Sequence, residues 1–182
     1  DTVKNPQLEL TSKFVDFTGR HIFLTGKAGT GKTTFLHNLK KTSVKRMVVV
    51  APTGVAALNA GGGTIHTFFQ LPFGPSVPGY TAPQGSPDQK KYNRFSKNKI
   101  NIIKSLDLLI IDEVSMVRAD VMDGIDETLR RFRRKDLPFG GVQMLMIGDL
   151  QQLAPVVKDH DWDVLKEYYD TAFFFSSRAL KR

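Results

Sequence analysis

The stretch from Gly26 to Thr33, GKAGTGKT, is the feature that most constrains what this chain can fold into. It matches G-x-x-x-x-G-K-[ST], the pattern of the phosphate-binding P-loop. The apolar run Ile22–Leu24 precedes it, and apolar residues at helical spacing follow in 34–39. This order predicts a buried strand, a glycine loop and a helix, whose free N–H groups and partial positive charge suit phosphate oxygens.

The chemistry expected of this loop is the binding of a nucleoside triphosphate with Mg²⁺. Lys32 is expected to reach the β- and γ-phosphates, and the Thr33 hydroxyl is expected to ligate the metal. The predicted nucleotide-binding residues of this segment are Gly26, Ala28, Gly29, Thr30, Gly31, Lys32, Thr33 and Thr34.

Composition narrows the class of protein. The 182 residues suffice for one α/β domain, and the formal net charge of +8 favours a polyanionic partner. Because the chain has no Cys, disulfides and thiolate sites are excluded. No apolar run approaches the length of a membrane span, so we expect no membrane segment. Since residue 1 is Asp rather than Met, we expect a processed chain or a fragment.

Strands alternate with helices along the chain, which predicts an α/β fold with a mostly parallel sheet flanked by helices on both faces. The whole of 1–182 is expected to be one domain. A Pro- and Gly-rich loop over about 71–92 is expected to be irregular rather than a linker, because core strands resume after it. The other predicted elements are an N-terminal helix over about 5–18, strands over 46–51, 107–111 and 142–147, a long helix over 118–135 and a candidate fifth strand over 172–175.

Two carboxylates follow the predicted strand at 107–111. Asp112 is expected to hold Mg²⁺ near Thr33, and Glu113 to orient and deprotonate an attacking water. A second loop after a strand, at 148–155, carries amide side chains, and an amide at this place can touch the γ-phosphate. Gly-Asp is also a frequent turn pair, so the local sequence at 148–152 leaves a plain turn equally open.

These motifs resemble the first RecA-like motor domain of a superfamily-one DNA helicase, of the Pif-one (petite integration frequency) and RecD-like group. The resemblance covers nearly the whole chain, and the order and spacing of the motifs make it specific. The stretch from Asp120 to Gly141 is similar to the signature that separates the Pif-one family from its relatives. The other matching stretches are 26–33, 51–57, 61–68, 111–116 and 148–153.

The resemblance implies a RecA-like P-loop NTPase that unwinds duplex or G-quadruplex DNA with 5′ to 3′ polarity. It implies ATP and Mg²⁺ as cofactors, single-stranded DNA and its junctions with duplex as partners, and roles in DNA repair and telomere maintenance. It also implies a second RecA-like domain after Arg182 that carries the arginine finger. We therefore expect 1–182 alone to bind ATP, to hydrolyse it poorly and not to unwind DNA. We also expect a monomer that is cytoplasmic in a bacterium, or nuclear or mitochondrial in a eukaryote.

Further residue roles come from the same resemblance. It assigns Gln152 to the γ-phosphate, with Lys32, Asp112 and Glu113 as the other catalytic groups. Asn5 and Gln7 are candidates for contacting adenine. The predicted DNA-binding residues are Thr53, Gly54, Thr64, His66 and Phe68. For Phe68 core packing is the favoured alternative.

It stays open whether two basic clusters contact DNA. The cluster within 90–104 is interspersed with aromatic residues, as in strand-binding surfaces. The cluster at 130–135 ends a helix, where cations suit the helix dipole.

Two alternatives to a DNA helicase stay open. They are another P-loop ATPase, such as a nucleotide kinase, and a nucleic-acid-binding module with a structural P-loop. The intact set of Lys32, Thr33, Asp112 and Glu113 argues against the second.

Overall fold

The computed structural model describes residues 5–26, 31–81, 83–87, 89 and 94–181. Its helices are α1 (Pro6–Phe17), α2 (Lys32–Thr42), α3 (Gly54–Ala60), α4 (Ile65–Phe69), α5 (Lys97–Ser105), α6 (Ala119–Phe132), α7 (Asp159–Leu165) and α8 (Arg178–Lys181). Its strands are β1 (Ile22–Thr25), β2 (Met47–Ala51), β3 (Gly63–Thr64), β4 (Leu108–Ile111) and β5 (Gln143–Gly148). Short 3-10 turns cover Val114–Met116, Pro138–Gly141 and Phe174–Ser176.

The described strands form one parallel sheet in the order β1-β5-β4-β2-β3. At its centre, Ile111 of β4 lies opposite Val50 of β2 and Met146 of β5. The predicted parallel sheet is therefore confirmed. The two-residue strand β3 was not predicted, because a pair of residues carries no periodic pattern.

Side chains of the central strands alternate between two hydrophobic cores, as the two-residue period of a strand requires. Leu108 and Ile110 of β4 pack with residues of α1, α2 and α3. Leu109 and Ile111 pack on the opposite face with residues of α4, α5 and α6. All four side chains are fully buried, so helices cover both faces of the sheet as predicted.

Local signals explain where the flanking helices begin and which side they bury. The Asn5 Oδ1 accepts a 3.0 Å hydrogen bond from the Gln7 N–H, and Pro6 occupies the first helical position of α1. In α6 one side of the helix is apolar and mostly buried. Its buried members are Val121, Met122, Ile125 and Leu129.

Two sequence predictions are wrong. Strand β1 was expected to be buried, but it is the edge strand of the described sheet, and Phe23 remains 39% exposed. Residues 172–175 do not form a fifth strand: Phe173 makes one isolated antiparallel bridge with Arg118, and a 3-10 turn follows. The apolar run is instead used for packing, because Phe174 is buried with its ring 5.5 Å from that of Phe23.

Between Leu71 and Thr81 the chain contains no helix or strand. Across the described part of the chain, none of the helices has both the length and the apolar character that crossing a membrane would need.

Candidate nucleotide and nucleic-acid site

The carboxyl ends of all the described strands meet at one edge of the sheet, because the strands are parallel. Following the strand order, this edge carries the phosphate loop after β1, Asp149 after β5, Asp112 after β4, Thr53 after β2 and His66 after β3. The described residues that were predicted to bind phosphates or metal therefore lie on the β1–β5–β4 half. The predicted DNA residues occupy the β2–β3 half.

The phosphate loop joins β1 to the N-terminus of α2. Gly31 has φ +84°, which only glycine adopts without strain, and Lys32 begins α2 directly after it. The Lys32 ammonium group is half-buried and donates a hydrogen bond to the Gly26 carbonyl. The first turn of α2 contains no acidic residue, so its positive end is available to an anion.

The remaining loop residues divide into two groups. Thr33 and Thr34 are exposed in the first turn of α2. The predicted contacts Ala28, Gly29 and Thr30 lie outside the described residues.

The two predicted catalytic carboxylates follow β4 directly. Burial raises the pKa of the Asp112 carboxyl, against the Glu113 N–H and the Lys32 charge, which lower it. Burial also raises the pKa of the Glu113 carboxyl, and the charges of Asp112 and Asp149 add to this while Lys32 opposes it. Lys32 thus lies close enough to act on both carboxyls, although they are distant in sequence.

These groups fit a magnesium ion shared with a phosphate ligand. Among the described residues no cluster of three or more His, Asp or Glu could hold a metal by itself. Mg²⁺ usually takes one or two protein oxygens and completes its shell with phosphates and water. The Thr33 hydroxyl and the Asp112 carboxylate are protein oxygens of this kind. Phosphate and water oxygens would complete the shell of the metal.

The loop after β5 forms a turn at the nucleotide half of the edge. Asp149 is 8% exposed; its Oδ1 accepts from the Gln151 N–H at 2.9 Å and its carbonyl from the Gln152 N–H at 3.0 Å. Gln152 itself is exposed. Because β5 lies between β1 and β4, the turn is placed beside the phosphate loop and Glu113. A plain turn and a contact with the γ-phosphate were both left open for 148–152, and this geometry is compatible with both.

A small recess beside the phosphate loop contains both adenine candidates. Asn5, Gln7 and Leu8 line it from α1, facing Gly26 and Lys32. The Asn5 oxygen already caps α1, whereas the Gln7 side chain is exposed. The sequence reasoning missed Leu8, which packs within 3.9 Å of the position that a Cβ on Gly31 would occupy.

On the DNA half, the two predicted threonines are helix caps. The Thr53 Oγ1 accepts from the Ala56 N–H at 3.2 Å, and the Thr64 Oγ1 accepts from the Thr67 N–H at 3.3 Å. Each hydroxyl therefore sits at a helix start. Gly54, the first residue of α3, is exposed.

The aromatic residues of the DNA half have two different environments. His66 stacks on Phe73, with ring centroids 5.0 Å apart and planes 9° apart, and Phe73 is 84% exposed. The sequence reasoning missed Phe73, although it lies in the loop that was singled out for its length. Phe68 packs against the core, edge-on to Phe69 and beneath the Lys99 ammonium, as the alternative for this residue predicted. A DNA contact by Phe68 stays a prediction.

The basic cluster at 130–135 is largely occupied by partners within the fold. Arg130 pairs with Asp126 at 2.9 Å, and Arg133 donates to the carbonyls of Ile103 and Lys104. In the other cluster, Lys90 and its neighbours through residue 93 lie outside the described residues.

Comparisons with known proteins agree with this geometry. Residues 8–165 match the family model of the PIF1-like helicase. The ATP-dependent DNA helicase PIF1 of Saccharomyces cerevisiae (strain YJM789) is 36% identical over 170 residues, which is 90% of this chain and 18% of the yeast protein.

Two solved structures are similar over nearly the whole chain. The Pif1 helicase from Bacteroides in complex with ADP-AlF3 and ssDNA is 43% identical with a TM-score of 0.89, over 100% of this chain and 40% of that one. A structure of two coordinating Pif1 helicases at forked dsDNA is also 43% identical with a TM-score of 0.89, over 98% and 41%. The chain spans about a fifth of the yeast relative's length. On the strength of the family match and the shared fold, the chain belongs to the PIF1-like helicase family.

Proposed function

We propose that this chain is the nucleotide-binding motor domain of an ATP-dependent DNA helicase. ATP is hydrolysed at the β1–β5–β4 half of the sheet edge, and single-stranded DNA runs along the β2–β3 half. The observation that carries the proposal is that the residues predicted for nucleotide and for DNA follow strands of one parallel sheet and so share its carboxyl edge. Family membership and a Bacteroides relative crystallised with ADP-AlF3 and ssDNA support it.

Each residue of the nucleotide half has a role in the proposal. Bound Mg²⁺·ATP supplies the electrophilic γ-phosphoryl group. Lys32 would exchange its bond to the Gly26 carbonyl for phosphate oxygens, and Thr33 with Asp112 would hold the metal. Glu113 orients a water and takes its proton at the carboxylate, for which its raised pKa makes it a better acceptor. The Gln152 amide reports the presence of the γ-phosphate.

The DNA half binds the strand through helix starts and rings. Thr53, Gly54 and Thr64 offer backbone N–H groups at the beginnings of α3 and α4 to phosphates. His66 offers a stacking surface. The partners, single-stranded DNA and its junctions with duplex, belong to the proposal, as do the 5′ to 3′ polarity, G-quadruplex unwinding and roles in repair and telomere maintenance.

The proposal extends beyond this chain. A second RecA-like domain of the natural protein would close over the nucleotide and supply the arginine finger. A monomer stays a prediction, since one related structure contains two coordinating Pif1 helicases. The cellular location stays a prediction as well: cytoplasmic in a bacterium, nuclear or mitochondrial in a eukaryote.

The test measures ATP hydrolysis by the full-length protein with and without single-stranded DNA. We expect DNA to stimulate turnover, and Glu113→Gln to lower it by about 10²–10⁴-fold while ATP binding is retained. Glu167→Gln, the same change at an exposed residue outside the sheet edge, should leave turnover unchanged.

The outcome separates the proposal from its alternatives. Unchanged turnover in Glu113→Gln would show that the base is assigned wrongly. Hydrolysis that DNA does not stimulate would favour another P-loop ATPase. DNA binding without any hydrolysis would favour a nucleic-acid-binding module.

A further inference from the structure

The loop after α4 presents one aromatic ring to solvent at the DNA half of the edge. One face of Phe73 is covered by His66, at a centroid distance of 5.0 Å, while 84% of the residue remains exposed. His66 follows β3, so the stacked pair stands at the outer end of that half. Unpaired bases bind to such exposed rings by stacking, largely regardless of sequence.

The chain is fixed to α6 on both sides of Phe73. Before it, Leu71 packs closely on Gly124: a Cβ on this glycine would lie 3.1 Å from Leu71 Cδ2. After it, the Gly74 carbonyl accepts a 3.2 Å hydrogen bond from Arg118 Nη2. The Ser76 N–H donates to Asp120 Oδ2 at 3.0 Å. The loop therefore has a defined path although it lacks regular structure.

The two residues that hold the far side of the loop form a buried, bidentate ion pair. Arg118 Nε and Nη2 each lie 2.9 Å from one Asp120 oxygen, and the side chains are 12% and 1% exposed. This fork geometry fixes the guanidinium plane, which a lysine cannot reproduce. A surface pair with the same sequence spacing, Arg134 and Asp136, is 65% and 66% exposed.

The ion pair is also joined to the catalytic carboxylate by a short packed segment. A 3-10 turn leads from Glu113 towards Arg118, with the Met116 N–H on the Glu113 carbonyl at 3.1 Å. Val114 and Val117 within this segment are buried. The ion pair that holds the loop therefore lies at the end of the same segment that carries Glu113.

We propose that Arg118 and Asp120 are positioning residues that hold Phe73 on His66, so that the outer face of the Phe73 ring stacks on an unpaired DNA base. The inference rests on the proposed function, since it concerns how that DNA site is built. The ion pair acts through the loop and contacts neither nucleotide nor DNA. Through the Glu113 segment it contributes to the stimulation of hydrolysis by DNA.

The test compares Arg118→Lys with the full-length wild-type protein. Lysine keeps the charge but loses the fork that engages Asp120 and Gly74 together. We expect the single-stranded DNA concentration for half-maximal stimulation to rise about tenfold, the order expected for one lost base stack. DNA-free turnover and the thermal midpoint should stay near wild type. Arg134→Lys, the same change in the exposed pair, should alter none of these.

A double-mutant cycle separates positioning from general damage. Phe73→Ala should also raise the half-maximal DNA concentration, and adding Arg118→Lys to it should cause little further change, because Arg118 acts through Phe73. A 2-aminopurine base in the bound strand should lose its stacking-induced quenching in each variant. Ser76→Pro removes the N–H donated to Asp120 and also fixes φ at this position. It should repeat the effect and decides the question if Arg118→Lys does not fold.

Three results would overturn the inference. The first is an unchanged half-maximal DNA concentration in Arg118→Lys. The second is additive effects of Phe73→Ala and Arg118→Lys in the double-mutant cycle. The third is a parallel fall of DNA-free turnover and thermal midpoint in Arg118→Lys, which would show that the ion pair is purely structural. Absence of DNA stimulation in the wild-type protein would instead overturn the proposed function itself.

Discussion

The Glu113 amide donates a hydrogen bond to the carboxylate of the preceding residue, with 3.0 Å between Glu113 N and Asp112 Oδ1. Glu113 adopts φ +53° in this arrangement, in the left-handed region that costs a non-glycine residue about 1–2 kcal/mol. The fold therefore keeps an unfavourable backbone conformation at the residue to which we assign proton transfer. Such strain is typical of functional positions.

Replacing Glu113 by glycine should separate stability from hydrolysis. Glycine relieves the left-handed strain and removes a half-buried carboxyl, although it gains entropy in the unfolded chain. We expect the free energy of unfolding in urea, measured without nucleotide, to stay equal or rise by up to about 1 kcal/mol. ATP hydrolysis should be lost.

Gln70→Gly is the matched control, since Gln70 also has φ +53° and lies outside the nucleotide half. It should show a similar change in stability and retain hydrolysis. A marked loss of stability in Glu113→Gly alone would contradict the strain argument.

Two adjacent glycines at the start of β3 should differ sharply in their tolerance of a methyl group. A Cβ on Gly62 would lie 2.1 Å from the Val49 carbonyl oxygen, whereas a Cβ on Gly63 would meet nothing within 4 Å. We expect Gly62→Ala to lower the free energy of unfolding by more than about 2 kcal/mol, because β2 or the α3–β3 turn must move. Gly63→Ala should change it by less than about 1 kcal/mol. Chemical denaturation of both variants checks this, and equal effects would show that the turn adapts freely.

Asp123 in the signature-like stretch should prove to be a structural residue. Its carboxylate accepts from the Tyr169 hydroxyl at 2.7 Å and from the N–H groups of Arg178 and Ala179 at 3.1 and 2.9 Å, which joins α6 to α8. Asp123→Ala should cost about 2–4 kcal/mol of unfolding free energy, because three donors lose a charged acceptor. Tyr169→Phe, which removes one donor, should cost about 1 kcal/mol.

The same two variants also test whether this aspartate serves catalysis. ATP turnover per folded molecule should stay at the wild-type value in both. Loss of turnover without loss of stability would contradict the structural assignment.

His21 should make stability depend on pH. Burial lowers its pKa below the ordinary 6.5, and its Nδ1 accepts the Met144 N–H at 3.0 Å, which needs the neutral ring. Below pH 6.5 the imidazole of His21 binds a proton more readily in the unfolded chain than in the folded one. The free energy of unfolding therefore falls as pH drops through 6.5 towards the pKa of the folded state. His21→Asn keeps an acceptor and cannot titrate. Its unfolding free energy should therefore vary less than that of wild type between about pH 8 and about pH 5.5, and an equal slope would exclude His21 as the source.

Much of this architecture could be predicted because it is encoded by local patterns. The spacing of Gly26 to Thr33, the run before Asp112 and the stripe of α6 each depend on neighbours within a few turns or one strand. Their elements were found within a few residues of their predicted bounds. The wrong predictions concern burial and pairing: Phe23 is exposed at an edge, and the run at 172–175 packs instead of pairing. Periodicity describes what a segment can bury, and it does not say which segment lies beside it.

By itself the sequence determined the phosphate loop, the two carboxylates after β4, and the alternation of strands and helices that requires a parallel sheet. Only the tertiary structure decided the strand order, which inserts β5 between β1 and β4 and so brings Asp149 beside Glu113. It alone decided that Phe73 stacks on His66 and that Arg118 and Asp120 hold its loop. The physical reason is that motifs depend on bonds along the chain, whereas strand order and loop path depend on contacts between residues far apart in it, whose free energies no local pattern records.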